Sequence, residues 1–527
     1  MPRVPAARAA RASLAALLLP AVLSVVALCP LPARSGDAPV KAATAGLQSP
    51  HTALALPFTP AGKAGEWVGI AGAEAVLDAL AQQNQASFLT LKQLDAVLRR
   101  RGLRLTEPSL QQQAQSLARA LGADELYTGT VTVDGDHALV EGKRSRVQAG
   151  GFATLKTTSE SGPLTSLPAL LTQVAVALTG SSARPAPMTA SVRALEQASR
   201  CAELLDRQSI APRAIPALSA AQLDTVESYC ASAISLDPAF GLAHAYQSII
   251  HSLRGQAAEA KREADLSQAG RWVPMGTLAA WFAARRAGDL AGARSALALS
   301  VMDHPGFLHA IGYLAEECQE LANDSCTLGW WTTYLARSPG HPFATARAAR
   351  TLAKLGRKEE ALALTQRALD RDPGDAELQI ELASRHLDAG NAPEAETLLL
   401  QALAQRPPRP LAHLRLGWLY LGQNKLGPAR EHLKSCVALA VGQDEARTRA
   451  LAWADLAQLA GREDDREGAV EALSAARRAS LRKLPCGAPE LAKWRGKADF
   501  DNVCEPISMA PGGQGFEDGD LVNIDLP

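Results

Sequence analysis

Aromatic residues are scarce in this chain: Phe, Trp and Tyr make up 4% of its 527 residues, although 47% of the residues are hydrophobic. Alanine and leucine supply most of that hydrophobic share, which favours close-packed helices over stacked β-sheets. A chain of this length can form about two to four domains with their own cores. Disorder throughout the chain is therefore excluded.

An excess of charge of one sign is also missing. Lys and Arg together number 54, and so do Asp and Glu, so the formal net charge is zero. Nothing in this balance attracts the whole chain to nucleic acid or to an anionic membrane. We therefore expect protein partners and no nucleic acid.

Sequence motifs of catalysis are lacking as well. The chain contains no G-x-x-x-x-G-K-[ST] loop, no H-E-x-x-H and no G-x-S-x-G. The ten histidines are scattered, and His244 and His251 are better explained as solvated or hydrogen-bonded side chains than as a ligand pair. The S-x-x-K match at residues 480–483 lacks its companion motifs. The sequence predicts a non-catalytic protein without cofactor or metal; an enzyme would need a site built from residues that show no motif.

The first residues have the layout of an export signal. Arg3, Arg8 and Arg11 precede an apolar run at residues 14–28, which is shorter than the roughly 20 residues that cross a bilayer. We predict a Sec-type signal peptide at residues 1–33, a linker at 34–48 and no integral membrane span in the mature chain. A lipoprotein is an alternative because Cys29 ends the run, although Leu28 before it is not the small residue of a lipobox. An uncleaved anchor is a further alternative.

Cysteines show no C-x-x-C spacing, which excludes a thioredoxin-like motif and a zinc ribbon. Export would place the chain in an oxidising compartment, where neighbouring cysteines can pair. The candidate disulfides are Cys201 with Cys230, Cys318 with Cys326, and Cys486 with Cys504, and Cys436 is left over. Buried free thiols that act as small hydrophobic side chains are the alternative.

Small residues and proline recur at a fixed interval in the second half of the chain. The interval is 34 residues for prolines at 305, 339, 373 and 407 and for Ala361, Ala395 and Ala429. Gly356 and Gly390 precede the alanines at matching places. Self-similarity at this period indicates one structural unit that is repeated along the chain.

This spacing of glycine, alanine and proline resembles the tetratricopeptide repeat (TPR), in which each unit is a pair of antiparallel helices, A and B. The resemblance implies some six to seven pairs between residues 200 and 480, stacked into a superhelix with a groove. Glycine permits the turn between the helices, and small residues on helix B form a seam where a neighbouring helix approaches closely. The seam residues are Ala361, Ala368, Ala395, Ala402 and Ala429. Cys436 occupies the next seam position, and Thr327 stands where an earlier unit would have alanine.

Residues 49–180 have a different pattern, with short strands, helices and a strand meander whose first turn is Asp134-Gly135. The order of "LPF", the helix entered through "WVG" and the "LGADELYTGTV" strand resembles the TolB-like domain that is also found in CsgG-type lipoproteins. Bacterial proteins often place this domain before tetratricopeptide repeats. The resemblance implies a location in the periplasm or outer envelope.

Helix A of each repeat faces the groove in the tetratricopeptide family. Carrying the family positions over gives Arg350, Lys354, Ser384, Asp388 and Trp418 as groove residues. An aromatic ring beside cations can hold an acidic or C-terminal peptide. The alternative is that these charges serve solubility alone.

The sequence thus predicts a multi-domain protein: an N-terminal α/β domain followed by an all-α TPR superhelical solenoid. A linker is expected at residues 181–199 and a partly disordered tail at 481–527. The predicted function is that of an exported, non-catalytic adaptor or scaffold of the bacterial envelope. The alternative is a structural subunit of an envelope secretion or motility complex in which the TolB-like domain oligomerises.

Overall fold

The computed structural model describes residues 51–83, 86–100, 103–148, 150–181, 186–205, 218–339, 341–405, 409–441, 445–479, 481 and 484–505. The predicted signal peptide, the linker at 34–48, the fourth proline of the repeat and residues 506–527 lie outside this part of the chain.

The N-terminal part alternates strands and helices before a run of three strands. Its strands are β1 Thr52–Ala55, β2 Thr59–Gly62, β3 Ser87–Leu89, β4 Glu125–Asp134, β5 His137–Gln148 and β6 Gly151–Pro163. Its helices are α1 Trp67–Gln83, α2 Leu91–Arg100, α3 Leu110–Ala120 and α4 Leu167–Thr179. The predicted α/β domain is confirmed, and β2 is the element that the sequence did not predict.

The six strands form one mixed sheet in the order β3-β1-β4-β5-β6, with β2 also pairing with β4. The strands β1, β2 and β3 run parallel to their neighbours, whereas β4, β5 and β6 form an antiparallel meander. The left-handed Gly135, with φ 58°, makes the predicted turn between β4 and β5. Helices α1 and α4 pack against each other and against the sheet.

Beyond this sheet the described chain is helical, and its helices pack in antiparallel pairs. The A helices are α5 Val192–Leu205, α7 Gly241–Leu253, α9 Pro274–Arg286, α11 Leu308–Glu320, α13 Pro342–Lys354, α15 Ala376–Asp388, α17 Pro410–Gly422 and α19 Ala446–Arg462. The B helices are α6 Ala220–Leu236, α8 Ala257–Ser267, α10 Leu290–Asp303, α12 Asp324–Arg337, α14 Lys358–Arg371, α16 Ala392–Leu403, α18 Leu426–Leu439 and α20 Arg466–Arg478. Helices α21 Pro489–Ala492 and α22 Ala498–Cys504 follow.

The predicted stack of helix pairs is confirmed, and the described residues form eight pairs rather than six to seven. The additional pair is α5 with α6, which the sequence did not predict: Pro238 follows the end of α6 by two residues, but no glycine stands between the two helices. Pro305, Pro339 and Pro373 each follow the end of a B helix by two residues. They end the helices as expected, because proline cannot donate the next backbone hydrogen bond.

The seam residues lie where helix pairs meet. Ala361, Ala395, Ala402 and Ala429 have no exposed surface, and Ala368 is 4% exposed. Cys436 and Thr327, at equivalent places, are also fully buried. The hydroxyl of Thr327 donates to the carbonyl of Asn323, so the extra polar atom is satisfied inside its own helix.

The predicted linker at residues 181–199 is shorter than expected, because α5 begins at Val192. Helix α5 buries Ala194, Leu195 and Ala198, and it packs against α1 and α4 of the α/β domain. One hydrophobic core therefore runs from the sheet into the first helix pairs. The two parts are docked on each other instead of being joined by a flexible segment.

Turns between successive helix pairs hold the α/β domain. The backbone N–H of Phe88 in β3 donates to the carbonyl of Gly306 at 3.1 Å, which continues the sheet into the turn before α11. The side chain of Gln93 donates to Tyr334 at 3.0 Å, and Thr52 Oγ1 donates to the carbonyl of Arg337 at 2.5 Å. A cavity of about 460 Å³ lies beside these contacts, between α1 and the turns before α7 and α9.

The cysteine pairs join elements that are close in sequence. Disulfides connect Cys201 with Cys230, Cys318 with Cys326 and Cys486 with Cys504, and Cys436 is a buried free thiol. Part of the predicted tail is ordered: Leu491 and Phe500 of α21 and α22 are fully buried against the last helix pair.

Within the described ranges, no helix combines the length and the apolar character needed to span a bilayer.

Candidate functional site

The A helices line the inside of the stack. Each A helix from α13 to α19 contacts the next A helix, whereas successive B helices pack mainly against their own partners and the following A helix. Because successive A helices lie closer together than successive B helices, the A helices form the inner, concave side of the stack. Of the predicted groove residues, Arg350 and Lys354 lie on α13, Ser384 and Asp388 on α15, and Trp418 on α17.

The predicted cation Arg350 is buried and pairs with a carboxylate that the sequence did not single out. Its Nε donates to Glu381 of α15 at 2.9 Å, and Arg385 approaches the other oxygen of Glu381 at 3.2 Å. Burial by itself would raise the pKa of Glu381, but attraction by Arg350 and Arg385 outweighs it and lowers the pKa. Glu381 is therefore a buried carboxylate that stays ionised.

A third guanidinium, from Arg415 of α17, interacts electrostatically with the same carboxylate. Burial lowers the pKa of Arg415 to about 10, and repulsion by Arg350 and Arg385 acts in the same direction, against the attraction of Glu381. The Nε atoms of Arg385 and Arg415 are buried without a hydrogen-bond partner among the described residues. We call Arg350, Arg385 and Arg415 around Glu381 the arginine cluster. Its three positive charges outnumber the carboxylates of Glu381 and of Asp388, which lies 3.1 Å from Arg385.

Trp418 extends the arginine cluster along the same face. The guanidinium of Arg415 lies over the Trp418 ring, 4.4 Å from its centroid, a cation–π contact. The indole N–H donates to the carboxylate of Asp455 on α19. Burial raises the pKa of Asp455 to about 7, although Trp418 and Arg415 oppose this rise. Near neutral pH, Asp455 is therefore only partly ionised.

The remaining predicted groove residues, Ser384, Asp388 and Lys354, lie around the arginine cluster and not at its centre. Ser384 is buried, and its hydroxyl donates to the carbonyl of Ile380 within its own helix. Asp388 is 44% exposed and accepts from Arg385 at 3.1 Å. Lys354 is 4.0 Å from Asp324 of the preceding pair. The structure therefore brings Arg350 and Trp418 together through Arg415, while Lys354, Ser384 and Asp388 lie around this centre.

A sequence signal for the arginine cluster exists at the repeat period. Arg347, Glu381 and Arg415 stand 34 residues apart, and Asp455 follows after 40 because the last connection is longer. Charge thus alternates at one equivalent position of successive A helices. This alternation matches the observed contacts, since each charge meets an opposite charge on a neighbouring helix. Comparison of charged positions across repeats, rather than of small residues alone, would have identified it.

The other side chains that the sequence singled out are not brought together in the described part of the chain. No group of three or more His, Cys, Asp or Glu side chains is arranged there to hold a metal ion. His244 contacts Glu263 at 2.6 Å, and His251 contacts Gln256 at 2.6 Å, so each histidine has a different partner. The S-x-x-K match lies largely outside the described residues.

No protein-family model matches the chain, and no curated protein matches it. Among solved structures it is similar to a tetratricopeptide repeat protein from Parabacteroides merdae, with 13% identity over 57% of this chain and 98% of that chain and a TM-score of 0.37. It is also similar to PilW, a type IV pilus biogenesis factor, with 20% identity over 40% of this chain and 94% of that chain and a TM-score of 0.31. A third similar structure is human IFIT1 with m7Gppp-AAAA, with 14% identity over 62% of this chain and 74% of that chain and a TM-score of 0.39.

Proposed function

We propose that this protein is an exported, non-catalytic adaptor of the bacterial cell envelope that binds acidic segments of partner proteins along the row of A helices. The observation that carries the proposal is the arginine cluster. Arg350 and Arg385 contact the buried carboxylate of Glu381, and Arg415 lies within its electrostatic reach. A carboxylate from a partner supplies the negative charge that the cluster lacks.

The geometry of the arginine cluster suits a carboxylate more than a neutral group. Guanidiniums bind carboxylates by paired, charge-assisted hydrogen bonds, which are stronger than those that a neutral group accepts. Trp418 lies beside Arg415 and offers an apolar ring for the neighbouring side chain of a bound peptide. An aspartate, a glutamate or a C-terminal carboxylate followed or preceded by an apolar residue therefore fits best.

Export and an envelope location rest on two features. Residues 1–33 have the layout of a signal peptide, and three disulfides join six of the cysteines, as is typical of proteins in oxidising compartments. The α/β domain, with its strand-helix-strand start and closing meander, is proposed to be TolB-like and to provide assembly or envelope contact. Its docking on the turn before α11 and on α12 gives the adaptor a fixed shape.

The proposal is tested by fluorescence anisotropy with the full chain and a labelled short peptide rich in Asp and Glu. The same peptide with Asn and Gln in place of the acids is the ligand control. We expect the acidic peptide to bind more tightly, and its affinity to fall as salt is added, because exposed charges are screened. Arg415→Met should weaken binding at least about tenfold.

The matched protein control is Arg357→Met, which makes the same chemical change at an exposed arginine that pairs with Glu360 at the start of α14. This variant should bind like the wild type. Equal affinity for the acidic and the amide peptide would contradict the proposal. Equal loss in Arg357→Met and Arg415→Met would show general charge attraction without a site at the cluster.

A further inference from the structure

One edge strand of the β-sheet is covered by the helix stack, and the opposite edge strand is open. The edge strand β3 is covered where Phe88 meets Gly306 and Phe307 in the turn before α11. The opposite edge strand, β6, pairs with β5 on one side only. Among the described residues, none hydrogen-bonds to the outer edge of Phe152–Gly162.

An open edge of this length is unusual in a stable protein. Strand β6 has 13 residues, about twice the common length of a strand, so it presents a long row of unpaired backbone donors and acceptors. It also exposes two large hydrophobic side chains, Phe152 at 37% and Leu155 at 42%. A β-bulge at Leu155 ends the regular part of the strand, residues 156–162. Pairing of this part with another strand would satisfy its outer backbone groups.

The charges on β6 select the partner strand. A lone lysine on an edge strand normally discourages pairing, because it would meet an apolar or positive neighbour. Here Lys156 and Glu160 stand symmetrically about Thr158. When two copies of β6 pair antiparallel around a two-fold axis at Thr158, Lys156 of each copy lies opposite Glu160 of the other. A register slip of two residues in either direction removes both ion pairs, so the charges fix one register.

We propose that two copies of this chain pair through the outer edge of β6, antiparallel and centred on Thr158, to form a homodimer with one continuous sheet. A two-fold contact of this kind uses the same surface on both copies and closes after two, so it produces a dimer rather than a ring or a filament. The proposal is independent of peptide binding at the arginine cluster, which lies on the helix stack.

The test is the mass of the purified full chain, measured by light scattering and sedimentation as a function of concentration. We expect the wild type to be a dimer. Lys156→Glu places like charges opposite each other across the axis, and so does Glu160→Lys; each should raise the dimer dissociation constant at least about tenfold. The double variant Lys156→Glu/Glu160→Lys restores both pairs with reversed charges and should dimerise like the wild type.

Mixing the two single variants gives a sharper outcome. Lys156→Glu and Glu160→Lys chains complement each other, so an equal mixture should form a heterodimer while each alone stays monomeric. Lys143→Glu is the matched control, because Lys143 is exposed on the inner strand β5 and does not lie at the edge. It should not change the dimer.

Thr158→Cys reports the register directly. Residues that face each other across an antiparallel pair have Cβ atoms roughly 4.5–5.5 Å apart, so oxidation should link the two copies. Thr154→Cys, away from the axis, should link poorly. A chain that is monomeric at all concentrations would overturn the proposal, and so would a dimer that Lys156→Glu leaves intact or that Thr158→Cys fails to link.

Discussion

At the scale of single residues, the stack of helices keeps a charge that does not help it fold. Arg415 is repelled by Arg350 and Arg385, and burial lowers its pKa to about 10. Its Nε is buried without a hydrogen-bond partner in the described part of the chain. Such a group adds little stability, and replacing buried charges by apolar side chains of similar size is often neutral or stabilising. The proposed binding of acidic peptides gives Arg415 a role outside folding.

Arg415→Met separates stability from binding. Met has a similar length and can still contact the Trp418 ring, so we expect the thermal midpoint to stay unchanged or to rise, with a stability gain of up to about 1 kcal/mol. Acidic peptide binding should fall at least about tenfold in the same variant. Differential scanning calorimetry measures the first quantity. A stability loss above about 1 kcal/mol would show that Arg415 has a structural role instead.

Acid should weaken the protein through His309, which lies between the α/β domain and the helix stack. Its Nδ1 is 2.9 Å from Thr90 Oγ1, and burial, with the nearby Lys92, lowers its pKa to about 3. The unfolded chain has the ordinary histidine pKa near 6.5, so it takes up the proton first as pH falls. Stability is therefore fully present above about pH 6.5 and is lost below it, by about 1–2 kcal/mol at pH 5.

This pH effect is measured as the thermal midpoint of the wild type and of His309→Asn from neutral pH to pH 5. The variant has no titrating ring at this place, so its midpoint should fall less. His304, whose pKa is also lowered by burial, continues to contribute in both proteins. Parallel pH curves for the two proteins would contradict the assignment to His309.

At the scale of elements, a residue with a positive φ angle stands two residues after the end of an A helix, in the turn to the B helix. Positive φ angles occur at Gly288, Ala322, Gly356, Gly390 and Asn424, each 34 residues from the next. Glycine adopts this conformation freely, whereas an L-residue pays roughly 1–2 kcal/mol for it. The sequence analysis therefore placed these turns correctly from their glycines. In two of the turns, alanine and asparagine adopt the same conformation.

Exchanging residues between two of these turns tests the rule. Ala322→Gly should stabilise the protein by about 0.5–1 kcal/mol, because it relieves the left-handed conformation. Gly356→Ala should destabilise it by about 1 kcal/mol, since an added Cβ has open space and meets no other penalty. Urea unfolding midpoints measure both changes. Effects of the same sign in the two variants would contradict this explanation.

Sequence reasoning predicted the elements whose position depends on one small residue. Ala361, Ala395 and Ala429 mark close helix contacts, and proline marks helix ends, so their spacing was enough to place most helix pairs. It did not predict the pair α5 and α6, which has no glycine between its helices, or the short linker. The pairing of Arg350 with Glu381 was also missed, because contacts between neighbouring helices depend on which faces meet in three dimensions.

At the scale of the whole molecule, the α/β domain and the helix stack form one docked unit. Gly306 is essential for this contact, because a Cβ at this position would lie 2.2 Å from the carbonyl oxygen of Ala86. Phe88 and Phe307 stack beside it with ring centroids 5.7 Å apart. The sheet, the turn and the aromatic rings therefore depend on one residue without a side chain.

Gly306→Ala should loosen the docking. We expect calorimetry to show one cooperative transition for the wild type and two for the variant, because the added methyl group forces the two backbones apart. Gly329→Ala is the matched control: Gly329 lies in α12 with open space around it, so the variant should be as stable as the wild type or slightly more stable. A single unshifted transition in Gly306→Ala would contradict the docked arrangement.

We propose that the A helices around the arginine cluster form the binding surface. Hydrogen exchange of the full chain with and without the acidic peptide tests it most directly. With the peptide bound, we expect slower exchange in α13, α15 and α17 and unchanged exchange in the B helices α14, α16 and α18. Protection confined to the B helices or to the sheet, with none in α13, α15 or α17, would contradict it.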